Sequence, residues 1–183
     1  CLGDGGALIT NSDELADFAR SVRDHGRGKE LEAVNWGRNS RLDSLNARVI
    51  LERLNQIEHL IHKRRKIAEI YYEKLNLLEK EGILNLPPKF STNSSSESTF
   101  QNYEIKVKSR EKLMNFLRLK NISTIKQWGG YSIAHFEKLG FNINDYPATA
   151  ELFEKLLLLP MNHLMSEGDA NYVAESILSF YKN

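Results

Sequence analysis

Tyr103-Glu104-Ile105-Lys106-Val107 alternates apolar with charged residues, the period-two pattern of a strand with one face in a core and the other in water. Downstream, Glu111 to Leu119 carries apolar residues at helical spacing. Ile122 to Gln127 reads as a second strand and Glu151 to Leu156 as a short helix. Leu157 to Pro160 reads as a third strand, and Ser166 with Asp169 makes a capping box for a last helix through Phe180. Strands separated by helices predict a small α/β sandwich domain.

Upstream of that strand, Ser91 to Ser98 is polar and Ser-rich and reads as a mobile loop, while Pro87-Pro88 ends the region before it. Ser40 and Asp43 predict a capping box for a long helix with an apolar face that includes Leu45, Val49, Leu54, Ile61, Tyr71, Leu75 and Leu78. Unbroken, it would be about 60 Å long, enough to join two domains. Any kink is expected near His62 to Lys66. Residues 24–40 form a Gly-punctuated loop, and Asn11 to Val22 is predicted helical, capped by Asn11 or Ser12 with Leu15, Phe18, Ala19 and Val22 on one face. Gly3-Asp4-Gly5-Gly6 is a tight turn feeding an apolar, β-prone run, Ala7 to Thr10. Such a turn needs a preceding strand, so an upstream domain or another chain is expected to supply it.

Composition narrows the function classes. Among 183 residues, 25 Lys and Arg against 24 Asp and Glu give a net charge of +1, so no global field favours nucleic acid or an anionic membrane. The longest apolar run, Leu156 to Leu159, is far too short to span a bilayer. Cys1 is the only cysteine, which excludes a disulfide framework and a thiolate metal cluster. The five histidines, His25, His59, His62, His135 and His163, lack metal-ligand spacing, and no metal is expected. The pair at 59 and 62 sits beside Lys63-Arg64-Arg65-Lys66, which reads as a solvated helix face. A cytoplasmic protein is the expectation.

Three segments, in order, carry a family resemblance. They are Gly3-Asp4-Gly5-Gly6-Ala7-Leu8-Ile9-Thr10-Asn11 with the helix up to His25-Gly26, then Gly37-Arg38-Asn39-Ser40-Arg41-Leu42-Asp43 running into the long helix, and finally Leu159-Pro160-Met161-Asn162. Together they resemble the C-terminal half of the DegT/DnrJ/EryC1/StrS sugar aminotransferases, pyridoxal-phosphate enzymes of fold type I. The resemblance implies a remnant of the large cofactor-binding domain at 1–40, a connecting helix at 41–80 and a small C-terminal α/β domain at 81–183. It also implies a homodimer and amino transfer from an amino acid to a nucleotide-linked keto-deoxysugar, in cell-surface polysaccharide or related amino-sugar biosynthesis. Phe100-Gln101-Asn102-Tyr103-Glu104-Ile105, Ile125-Lys126-Gln127-Trp128-Gly129-Gly130 and Ala134-His135 are similar to the branch acting on 3-keto-6-deoxyhexoses. In this family the Schiff-base lysine lies a few residues before the Gly-Asp-Gly-Gly turn, upstream of Cys1, so no catalytic residue is expected here.

The resemblance carries Asn39 over as a donor to the cofactor phosphate of the partner subunit, and an amide on a Gly-flanked loop at a helix entry suits a phosphate. The alternative for Asn39 is a helix-entry turn residue. Arg41 is a second phosphate-binding candidate, for the cofactor or the nucleotide diphosphate, or else a salt bridge that orders the loop. Trp128, Gly129, Gly130 and His135, with Tyr131, form the candidate substrate-facing loop: glycines allow close backbone approach and an indole stacks on a base or sugar face. The alternative for Trp128 is a plug in the domain core. A sugar 3-dehydratase of the same scaffold, and a non-catalytic interaction domain, stay open beside the aminotransferase.

Overall fold

A computed structural model describes residues 3–91 and 97–182, so most of the expected Ser-rich loop, residues 92–96, lies outside the described residues. The chain forms two compact units, Cys1–Ile57 and Glu58–Asn183. The region expected as one connecting helix is divided between them. It is two helices, α2 (Ser44–Leu54) and α3 (Ile57–Lys80), following α1 (Asp13–Arg23). The break falls at Asn55-Gln56, ahead of the expected kink, where Gln56 N–H turns back to the Arg53 carbonyl at 3.0 Å. Asparagine is a weak helix former whose side chain competes for backbone groups, so it is a natural place for the ladder to tighten and stop.

In the first unit, α1 is capped as expected, Ser12 Oγ accepting from Leu15 N–H at 3.2 Å. Two other expectations fail. Ala7 to Thr10 is not a strand and Ile9 is 96% exposed, because no described segment pairs with its backbone. The capping box at Ser40 does not form either. Asp43 is the N-cap of α2 without a side-chain bond, and Ser40 N–H is taken by the Arg23 carbonyl at 2.8 Å. Among residues 3–57 only Ser21 and Gly26 are buried, so this unit has no apolar core of its own.

The second unit has one. The buried stripe of α3, Ile67, Ala68, Ile70, Tyr71, Leu75 and Leu78, joins a core cluster shared with an antiparallel three-stranded sheet. The sheet order is β1 (Leu84–Asn85), β2 (Tyr103–Val107), β3 (Leu156–Leu159). Strand β2 alternates as read: Tyr103, Ile105 and Val107 are buried while Lys106 is exposed. Its register against β3 pairs Tyr103 with Leu159 and Ile105 with Leu157. All four leucines of β3 are buried, as expected for a strand covered on both faces. Helices α4 (Arg110–Leu119), α5 (Pro147–Lys155) and α6 (Glu167–Lys182) complete the unit. The Ser166–Asp169 box forms reciprocally, at 2.9 and 3.1 Å.

Two strand expectations need correction. Ile122 to Gln127 contributes one bridge, Ile125 to Leu158, before turning into short 3₁₀ segments. The missing strand is β1, whose two residues are too few for a periodicity signal and which follows a left-handed Gly82 turn closing α3. The Lys63–Lys66 run is also more than a solvated face. Arg64 donates to the carbonyls of Phe100 and Gln101 at 3.2 and 2.7 Å, and Arg65 to that of Ser98 at 3.1 Å. These guanidiniums fix the entry to β2, where backbone carbonyls lack a ladder partner.

Leu75 is fully buried at the centre of this core. Leu75→Ala is expected to cost about 2–5 kcal/mol, read as a lowered urea midpoint with an unchanged slope. A pH effect is expected at the Ile125 bridge. Lys126 pairs with Glu111 at 2.7 Å and holds that exposed carboxyl below its usual range. A depressed carboxyl stabilises above its unfolded value and loses that contribution as pH falls through its folded one. Acidification below the ordinary carboxylate range should therefore lower the protection factors of the amides at residues 125–130, each rate being referred to its intrinsic value at that pH, and Glu111→Gln should show the lower protection already at pH 7.

Candidate functional site

The phosphate-side candidates sit on a backbone clasp in the first unit. The segment that leads into α2 runs back along the end of α1. Arg38 N–H donates to the Val22 carbonyl at 2.9 Å, His25 N–H to the Arg38 carbonyl at 3.1 Å, and Asp24 bridges Asn39. This approach requires glycine at two places. A Cβ on Gly26, whose φ is +76°, would lie 1.7 Å from the Asn35 carbonyl oxygen. One on Gly37 would lie 2.1 Å from the Gly26 nitrogen.

The clasp brings Asn39 and Arg41 together. Arg41 Nε donates to Asn39 Oδ1 at 3.1 Å, and its Nη1 lies 3.5 Å from Asp24 Oδ1. A guanidinium has no acceptor, so this contact fixes which end of the Asn39 amide is oxygen and makes Nδ2 the donor end of an exposed residue. Arg41 orders the loop through Asp24 and Asn39, as one of its two readings has it, and its side chain is 55% exposed. Asp24 carries only a weak signal in the sequence, a charge directly before His25-Gly26, and only the fold shows that it faces Arg41.

The substrate-side candidates share one loop of the second unit, anchored where Ile125 and Leu158 exchange backbone bonds at 3.2 and 2.9 Å. Trp128 is 79% exposed, which rules out the core-plug reading. Its own φ is +50°, followed by +69° and +92° at Gly129 and Gly130. Three successive left-handed residues swing the indole outward, and the two glycines adopt that backbone without strain.

His135 closes the loop as a cap. Its Nδ1 accepts from Ser132 N–H at 3.0 Å, with Ser132 Oγ at 2.9 Å. A backbone N–H only donates, so Nδ1 is unprotonated and the neutral ring carries its proton on Nε2. Tyr131 meets the ring edge-on at 5.7 Å. Ser132 is thus a positioning residue, legible only as a weak Ser-x-x-His pattern. No group of three or more His, Cys, Asp or Glu among the described residues is arranged for a metal, and no helix among them is long and apolar enough to cross a membrane.

Comparison with known proteins agrees with this architecture. Residues 1–178 match the DegT/DnrJ/EryC1/StrS aminotransferase family. A "Pleiotropic regulatory protein" of Geobacillus stearothermophilus is 31% identical over 99% of this chain and 48% of its own length. A dTDP-3-amino-3,6-dideoxy-alpha-D-galactopyranose transaminase of Aneurinibacillus thermoaerophilus is 28% identical over 94% of this chain and 46% of its own. The crystal structure of a DegT DnrJ EryC1 StrS aminotransferase from Brucella abortus, 28% identical, superposes with a TM-score of 0.79 over 96% of this chain and 46% of that one. The chain spans about half the length of the relatives it matches. With the match running through nearly the whole sequence, the chain belongs to the DegT/DnrJ/EryC1/StrS aminotransferase family.

Proposed function

We propose that this chain supplies the small domain, the connecting helices and one phosphate-binding clasp of a pyridoxal-phosphate-dependent aminotransferase acting on a nucleotide-linked keto-deoxysugar. The observation that carries this reading is the Asp24–Arg41–Asn39 chain, in which an exposed asparagine keeps its amide donor end beside a half-exposed guanidinium. A donor-only pair of this kind suits the phosphate of the cofactor. When bound, pyridoxal phosphate supplies the electron sink for amino transfer from an amino-acid donor.

This chain's own residues bind and orient. Asn39 Nδ2 and the Arg41 guanidinium hold phosphate oxygens, and the resemblance assigns that phosphate to the partner subunit's cofactor. The Trp128 indole offers a flat apolar face to a sugar or base, and Gly129 and Gly130 let the ligand approach the backbone. His135 presents Nε2–H as a donor, its direction set by Ser132. The Schiff-base lysine belongs to the family's other half.

The exposed apolar side chains of the first unit support a homodimer, or cover by the remainder of a longer enzyme. Leu8, Phe18, Val34, Trp36, Leu45 and Leu51 are all more than half exposed there, well beyond singly scattered surface residues. A cytoplasmic location fits sugar-nucleotide substrates.

Pyridoxal phosphate titrated into this chain should shift its ³¹P resonance saturably. Asn39→Ala and Arg41→Ala should each weaken that binding about tenfold, the scale of one charge-assisted hydrogen bond. Borohydride treatment of the same mixture should attach no stoichiometric pyridoxyl group to any single lysine. Stoichiometric labelling of one lysine with turnover of glutamate and keto sugar would overturn the division of labour proposed here. A separate expectation concerns the loop: His135→Phe should free the Ser132 amide and raise its exchange rate at least tenfold while leaving the urea midpoint of the core within error.

A further inference from the structure

Arg110, the first residue of α4, is a largely buried cation, its side chain 14% exposed. Its Nη1 donates to the Phe153 carbonyl and, at 3.4 Å, to that of Leu156. The Phe153 carbonyl is among the last four of α5, which have no partner within their own helix, and a guanidinium there also meets the negative end of the helix dipole. Arg110 Nε lies 3.3 Å from Glu111 Oε1, and the same oxygen takes Lys126 Nζ at 2.7 Å.

The first two residues of α4 therefore act on both ends of the loop that carries Trp128 and His135. At one end Lys126 leads into the turn at Trp128, and its stem lies under Gly130, where a Cβ would meet it at 3.5 Å. At the other the Phe153 ring stands 6.0 Å from the His135 ring, at 58° to it. Arg110 is not needed to hold this end of α5 to the sheet, because Leu156 already pairs with Lys106 and Leu157 is fully buried. The guanidinium adds the pose of the last turn of α5, and with it the pose of Phe153.

Ser132 alone does not fix the imidazole. Its hydroxyl, 2.9 Å from Nδ1, can donate to a bare nitrogen or accept from a protonated one. Only the Ser132 N–H selects the tautomer, and that bond lasts only while the ring stays in place. Taking the loop as substrate-facing, as proposed above, we infer that Arg110 is a positioning residue for it. Arg110 sets Phe153 against the imidazole, and the wall so formed keeps His135 Nε2–H aimed at the ligand. A lysine could not replace it, since an ammonium is a single point and cannot span Glu111 and the end of α5 as a planar fork does.

The test is ¹⁵N NMR of the His135 imidazole in the full chain at about pH 8, above the ordinary histidine range. The native chain should show one tautomer, protonated on Nε2. Arg110→Lys should mix in the Nδ1–H form and raise Ser132 amide exchange about threefold, while the Leu75 and Ile177 amide shifts stay in place. Arg110→Met should do so more strongly, and if it fails to fold, Arg110→Lys decides. In a Phe153→Leu background, Arg110→Lys should add nothing, because both changes act on one ring. An unchanged tautomer in folded Arg110→Lys, additive effects in that background, or displaced Leu75 and Ile177 amides would each overturn the positioning role. Binding is read with dTDP-glucose as probe, by quenching of Trp128 fluorescence in a Trp36→Phe background, the chain having two tryptophans. Arg110→Lys should weaken a saturable quench about fivefold, the scale of one misdirected hydrogen bond, and unchanged affinity would also overturn the role. No quench in the native chain would overturn the substrate-facing reading instead, and the His135 tautomer would then decide the positioning by itself.

Discussion

The second unit depends on one packing event, the apolar stripe of α3 laid against the sheet. Tyr71 and Leu75 are fully buried in that seam, alongside Ile105 and Leu157 on the two paired strands. Each such side chain contributes on the order of 1.5–3 kcal/mol of burial. Register follows from it, because a one-residue slip of β2 would turn Glu104 and Lys106 inward. The same helix then fixes the entry to β2 through Arg64 and Arg65, so the stripe that builds the core and the cations that hold the loop are successive residues of one element.

The first unit rests on a different constraint. With only Ser21 and Gly26 buried, it is shaped by backbone bonds between the end of α1 and the segment into α2. Gly26 and Gly37 allow that approach and no residue with a Cβ does. This explains how Asn39 and Arg41 come to be aimed without a core beneath them. Such a clasp is ordered locally but leaves its apolar side chains uncovered among the described residues.

The α/β class was legible because periodicity survives packing: β2, α4, α6 and the α3 stripe sit close to where the pattern puts them. The misreadings share a cause, which is competition for backbone groups that a pattern does not record. Ser40 was claimed by the Arg23 carbonyl and so does not cap α2, and Ala7 to Thr10 had no pairing partner. Ile122 to Gln127 kept a single bridge because the left-handed backbone from Trp128 onward turns the chain away from β3. Strand β1 escaped because two residues have no period.

The sequence by itself determined the family and the α/β class, because these follow from residue identity and order along the chain. Only the tertiary structure decided how the candidate residues are held. It set the Asn39 amide through a guanidinium that cannot accept, put the His135 proton on Nε2 through an N–H that can only donate, and turned Trp128 out of the core. It also left the Tyr103 hydroxyl buried and unpaired. Donor and acceptor roles are properties of pairs, and the partners here lie across turns and strands where no linear pattern reaches.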